Sequence, residues 1–270
     1  MEIYNEAGST SVASYPWSTL QELTKGIRYG EVVLLTAMEG VGKTEIFRGL
    51  EYHLLQTTDA NIGVIHLEEG KRRFYDGLAG YELKTAAHHD PYLTPEQKIE
   101  AYDRAVKRDN RLHFYSHFSS DDPDAILDSI RFMAGACECR FIFLDHITML
   151  VSGTPTDDER RALDYISTKL AGMVEELNFC LFLISHVNDD GKTRGSRNIS
   201  KIADLHVQLL RNLEASDPVE RNTTHLLVKK NRFASVTGPG GSLYFDKDTY
   251  LVSERPPATA SLPPVETQLS

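Results

Sequence analysis

Residues 37–44 read A-M-E-G-V-G-K-T, and they hold the parts that a phosphate chain requires. Gly40 and Gly42 allow a tight turn in which backbone N–H groups face inward and no side chain intrudes. Lys43 would reach the β- and γ-phosphates of a nucleotide, and the Thr44 hydroxyl would ligate Mg²⁺. Glu39, Val41 and Glu45 complete the stretch expected to line the nucleotide. The first position of the pattern is Ala37 instead of Gly, a small residue that fits the same turn.

Phosphoryl chemistry also needs a carboxylate near the metal and a group that orients or deprotonates water. Asp145 closes the apolar run F-I-F-L-D, where a strand would deliver it to the metal. Glu68 and Glu69 follow the apolar run ending in H-L. Neighbouring residues of a strand face opposite ways, so one of the two can face the γ-phosphate, and the spacing leaves the choice open.

The elements that would position these groups alternate. EVVLLTA (31–37), IGVIHLEE (62–69), LHFYS (112–116), RFIFLDH (140–146) and FCLFLIS (179–185) are short apolar runs expected as strands. The segments 45–55, 121–136 and 158–177 carry apolar residues at helical spacing, the second opening on Asp and an early Pro. Continuous apolar strands alternating with helices predict an α/β fold, a mainly parallel twisted sheet covered on both faces. After Asp204 the runs HVQLLRN (206–212), HLLVKKNRF (225–233) and SLYFD (242–246) are separated by polar turns, among them TGPGG (237–241). They read as an antiparallel C-terminal extension, with K-N-R-F on an edge strand.

The chain has 270 residues, 41% hydrophobic and 25% charged, the range of a globular protein. No apolar run is long enough to span a bilayer and no signal segment opens the chain, so a cytoplasmic location is expected. Cys137, Cys139 and Cys180 lack the spacing of a disulfide framework or zinc site, and Cys139 and Cys180, which flank apolar strands, read as buried thiols. Residues 1–16 read as a flexible leader, 17–253 as one ATPase domain, and 254–270 as a Pro/Ser/Thr-rich disordered tail. With a net charge of −10, any nucleic-acid contact must come from a local basic strip. Residues 192–201, K-T-R-G-S-R-N-I-S-K, form such a strip, with Lys192, Arg194, Arg197 and Lys201 and no acid.

In order, the phosphate loop, H-L-E-E, F-I-F-L-D-H-I-T-M-L-V-S-G, D-E-R-R-A-L-D-Y-I-S-T-K-L-A-G-M, F-L-I-S-H, T-R-G-S-R…I-A-D and K-K-N-R-F resemble the helicase domain of ring-forming replicative helicases. The likeness covers roughly 17–252 and is closest to the phage primase-helicase and Twinkle branch of the DnaB type. It implies a RecA-like domain that hydrolyses ATP or another NTP with Mg²⁺, assembles as a homo-hexamer with nucleotide between subunits, and moves 5′–3′ on single-stranded DNA. Primase and DNA polymerase are the implied partners. Under it, Glu68 is the catalytic glutamate and His186 senses the γ-phosphate. Lys230 and Arg232 act in trans on the neighbour's nucleotide, Arg211 lies near that interface, and Phe245 packs on the base. Asn188 and the basic strip belong to the DNA-holding pore loop. Larger members carry a primase or a helical N-terminal domain, so this chain is read as a stand-alone subunit or a piece of a longer polypeptide. The alternatives are a RadA- or RecA-like recombination ATPase and a KaiC-like regulatory ATPase.

Overall fold

Val33 and Leu35 point to one face of a central sheet, Val32 and Leu34 to the other, and both sets are buried. That double burial is why the central strands are continuously apolar and not alternating. The computed structural model describes residues 10–107, 110–115, 123–151, 156–186 and 197–254. Its strands are β1 (Val32–Ala37), β2 (Asn61–His66), β3 (Leu112–Tyr115), β4 (Cys139–Asp145), β5 (Cys180–His186), β6 (Leu205–Leu210), β7 (Thr223–Asn231), β8 (Gly238–Phe245) and β9 (Val252–Glu254). They form one sheet in the order β3-β2-β4-β5-β1-β6-β7-β8-β9. The six strands from β3 to β6 pair in parallel and the last three antiparallel.

Helices α1 (Ser18–Thr24), α2 (Lys43–Thr57), α3 (Lys71–Leu83), α4 (Pro95–Ala105), α5 (Pro123–Gly135), α6 (Thr156–Leu177), α7 (Arg197–Ile202) and α8 (Pro218–Arg221) complete the order, with a 3₁₀ turn at Ile147–Val151. Phe47, Leu50 and Leu54 of α2 and Phe74 and Leu78 of α3 pack on one face, with Phe143 and Phe182 of the sheet stacked beneath at 4.6 Å. Ile130 of α5 and Leu163, Ile166 and Leu170 of α6 cover the other face. Each such side chain stabilises the fold by about 1.5–3 kcal/mol relative to exposure. Cys139 and Cys180 are buried and all three cysteines are free thiols, as expected.

Several expectations are corrected. β6 is parallel to β1, so the antiparallel extension begins one strand later, at β7. K-N-R-F is not on an edge: β7 lies between β6 and β8, and Arg232 follows the strand in a turn. Residues 238–241 are not a turn but the start of β8; a Cβ on Gly240 would come within 3.3 Å of Leu226 and Val228, so glycine permits the close approach. The strand at 62–69 ends at His66, leaving Glu68 and Glu69 in a bend. The helices at 71–83 and 95–105 had no counterpart in the sequence reading, although Thr94, Pro95 and Gln97 form a complete capping box. Ala13, expected in a flexible leader, bridges to Ile27, and Tyr15 is buried in the core. At the other end Glu254 belongs to β9 and accepts hydrogen bonds from Ser18; 255–270 lie outside the described residues.

Candidate active site

Strand ends build the site. Ala37 of β1 is in register with His186 of β5, and His66 of β2 with Asp145 of β4, so four carboxyl ends of parallel strands open on one edge. Ligands of open α/β sheets bind at that edge. The loop from Ala37 turns through Gly40 and Gly42, at φ 76° and 90°, a left-handed region that favours glycine. It ends in the first residue of α2, where free backbone N–H groups and the helix dipole favour an anion.

Lys43 is buried and donates to the Met38 carbonyl at 3.1 Å, with Nζ 3.2 Å from Nδ1 of His186. Burial lowers its pKa against the opposing pull of Asp145, Glu68 and Glu39. The Thr44 hydroxyl donates to Asp145 Oδ2 at 2.6 Å. This hydroxyl–carboxylate pair is a hard oxygen donor set that fits Mg²⁺.

Glu68 and Glu69 diverge sharply. Glu68 is half exposed, and its Oε1 lies 3.0 Å from Nε2 of His146. We read this approach as an electrostatic contact. Burial pushes the Glu68 carboxyl up, but His146, His186 and Lys43 outweigh it and hold its pKa below the ordinary value. Glu69 is held by Arg48 and lies near His66 and Arg73. Glu68 is therefore the carboxylate free to meet a nucleotide. His146 packs edge-on against His186, centroids 4.1 Å apart. Glu68, His146 and His186 bring potential ligand atoms within 4.8 Å of one another, yet the Lys43 ammonium on His186 makes that trio a poor cation cradle.

Arg211 and Phe245, expected near the nucleotide, lie close to each other. Arg211 donates to the Val41 carbonyl at 3.4 Å and to Asn222 Oδ1 at 2.8 Å, which fixes it against the phosphate loop of its own chain. Its guanidinium carbon lies 6.0 Å from the Phe245 ring centroid. The Glu45 carboxylate is taken by Arg48, so Glu45 can offer a phosphate its backbone N–H and not its side chain.

Arg232 and Lys230 are elsewhere. Arg232 pairs with Asp204, whose Oδ2 accepts from the Val32 amide at 2.9 Å. It thus sits at the amino end of β1, whereas the phosphate loop leaves the carboxyl end. The six residues of β1 separate these ends by about 16 Å, beyond the reach of an arginine side chain. Lys230 Nζ donates to the Lys201 carbonyl at 2.8 Å, tying β7 to the end of α7. Asn188, Lys192 and Arg194 lie outside the described residues; Arg197 opens α7, so 197–201 is helix and not loop.

The DnaB-like helicase C terminal domain family matches residues 14–249. The chain belongs to that family. A DNA helicase/primase of Enterobacteria phage T3 is 25% identical over 248 residues, 85% of this chain and 43% of the relative, so the chain spans less than half of that protein's length. Among solved structures, the ATPase domain of G40P superposes with a TM-score of 0.73 at 18% identity, covering 94% of this chain and 95% of that one. A DnaB-like replicative helicase, described with its interactions with primase, gives 0.74 at 18% identity over 93% of this chain and 63% of that one. A KaiC-like protein of Pyrococcus horikoshii gives 0.66 at 17% identity over 93% of this chain and all of that one. The fold of this DnaB-like domain is thus RecA-like, as the sequence resemblance implied. Among the described residues no helix is long and apolar enough to cross a membrane.

Sequence reasoning gave His146 no role and missed Arg48 and His66 in this DnaB-like domain. His146 directly follows the strand-end Asp145, a position from which it can reach the same edge. Arg48 and His66 were camouflaged by apolar neighbours, in a helix and a strand read only for their hydrophobic faces.

Proposed function

We propose that this chain is the motor of a ring-shaped replicative DNA helicase, an NTPase that uses ATP or a similar nucleotide to move 5′–3′ along single-stranded DNA. The observation that carries the proposal is the convergence of Lys43, Thr44, Asp145, Glu68 and His186 on one sheet edge, built from four different strands and a helix start. Lys43 and the α2 amides bind phosphate charge, and Arg211 and Phe245 border the base side. Thr44 and Asp145 are the residues that would hold Mg²⁺, whose chemistry is to neutralise phosphate charge. Glu68 orients the attacking water and takes its proton. Its pKa, lowered by His146, His186 and Lys43, suits the task, because a bound γ-phosphate places negative charge nearby and raises the carboxylate's basicity. His186, between Lys43 and the segment after β5, reports phosphate loss to the 187–201 segment with its Asn188, Lys192, Arg194, Arg197 and Lys201.

Six copies in a ring would bring those segments to one channel, which offsets the −10 charge of each chain. Arg232 and Lys230 serve the neighbour's nucleotide, a reading supported by their distance from the phosphate loop of their own chain. Primase and polymerase are the expected partners and the cytoplasm the expected location. The test is electron microscopy with a non-hydrolysable nucleotide and oligo-dT, together with strand displacement from a forked duplex. A six-membered ring around DNA that separates the fork is expected. Hydrolysis with neither ring nor displacement would favour a regulatory ATPase and overturn the motor.

A further inference from the structure

A buried ionic chain links the phosphate-loop helix to the bend that carries Glu68. Glu51, in the middle of α2, is fully buried and lies 2.9 Å from Nε2 of His66, the last residue of β2. The other ring nitrogen of His66 lies 3.3 Å from Glu69. A neutral imidazole carries one N–H, so an imidazolium is the form that serves both carboxylates. Glu69 also accepts from one nitrogen of Arg48, whose other arm pairs with Glu45.

Room is reserved for this clamp: a Cβ on Gly77 of α3 would lie 2.2 Å from Nε of Arg48. Charges buried this deeply are costly, and an apolar contact would join α2 to β2 at least as well. What the ionic chain adds is direction. The fork of Arg48 fits two carboxylates at a set angle, and a hydrophobic patch does not.

We propose that Glu69, clamped by Arg48 and His66, is a positioning residue that keeps Glu68 in register with Lys43 and Thr44. The inference rests on Glu68 being the group that activates water. Glu69 itself touches no substrate. It fixes the bend on the same helix that holds the phosphates, so base and phosphate are carried by one rigid unit.

The test is a double-mutant cycle in single-turnover hydrolysis by the full chain, with the affinity for a Mg-nucleotide analogue measured alongside. Glu69→Gln should bind the analogue within about threefold of the wild type while kcat falls roughly 30- to 100-fold, the scale of a small misplacement of a catalytic group. Adding Glu69→Gln to Glu68→Gln should cost nothing further, because a misplaced group that is already absent cannot be misplaced. A merely structural role would give additive losses, and additivity would overturn the proposal. Where Glu69→Gln does not fold, Arg48→Lys keeps a charge, loses the fork, and enters the same cycle. Wild-type turnover by Glu69→Gln beside an inactive Glu68→Gln would sink this proposal alone. Wild-type turnover by Glu68→Gln would sink the assignment of Glu68, and the positioning role with it.

Discussion

Arg232→Ala tests shared catalysis most directly. The side chain is 59% exposed and its described partner is Asp204, an ion pair at the surface. Such pairs contribute about 0–1 kcal/mol, so the variant should fold with nearly unchanged stability. Asp204 would keep its anchoring bonds, since its carboxylate still accepts from Val32 and its carbonyl from the backbone amide of residue 232. Turnover should nevertheless fall by ~10³–10⁵, the usual contribution of an arginine that neutralises charge as the γ-phosphate departs. Because Arg232 lies at the far end of β1 from Lys43, this loss must come from a neighbour's site. Mixing Arg232→Ala with Glu68→Gln subunits should then restore hydrolysis. In a randomly mixed 1:1 ring with head-to-tail contacts, about a quarter of interfaces would hold both an intact Glu68 and an intact Arg232. The assay is phosphate release after subunit exchange, with mixed assembly verified by mass spectrometry of differently tagged chains. Recovery to somewhere below about a quarter of the wild-type rate is expected, less if neighbouring sites must fire in turn. Mixed rings that stay inactive while a tethered wild-type dimer turns over would refute the trans role.

Glu68→Gln should bind nucleotide normally and lose roughly 10²–10⁴ in kcat, read in single-turnover hydrolysis; retained turnover would reassign the base. Replacing Lys192, Arg194 and Arg197 together with Ala should make the log–log salt dependence of oligo-dT binding shallower by about 2, with basal hydrolysis kept, and an unchanged slope would remove this segment from the DNA path. Glu31, beside Arg28, has its carboxyl raised by burial to about 7 in the folded protein from 4.5. A raised acid favours folding when protonated, so its ionisation costs stability as pH climbs from the unfolded value through about 7. Glu31→Gln should therefore stabilise the protein by up to about 3 kcal/mol at pH 8 and have little effect near pH 4.5, measured as denaturation midpoints; a gain independent of pH would exclude the ionisation.

Read from the sequence, the phosphate loop and the buried strands were fully legible, because both depend on local pattern. Glycines at 40 and 42 announce a turn wherever they fall, and a strand buried on both faces must be apolar throughout. The strand-end position of Asp145 followed from the same logic, but its contact with Thr44 also needed β4 to run parallel to β1 and to lie two places along the sheet, beyond β5. The choice between Glu68 and Glu69 could not be made locally. It depends on Arg48, 21 residues away, and on His66, which together claim Glu69 and leave Glu68 at the site. The place of β6 was likewise invisible, since an alternating strand looks the same whether its neighbour runs parallel or antiparallel. The separation of Arg232 from Lys43 came from pairing register alone: Leu205 opposite Asn231 and beside Val33 puts the arginine at the amino end of β1. Local pattern determines which groups can do chemistry, and long-range pairing decides which of them meet, because a strand's partners are selected by the whole sheet and not by its own residues.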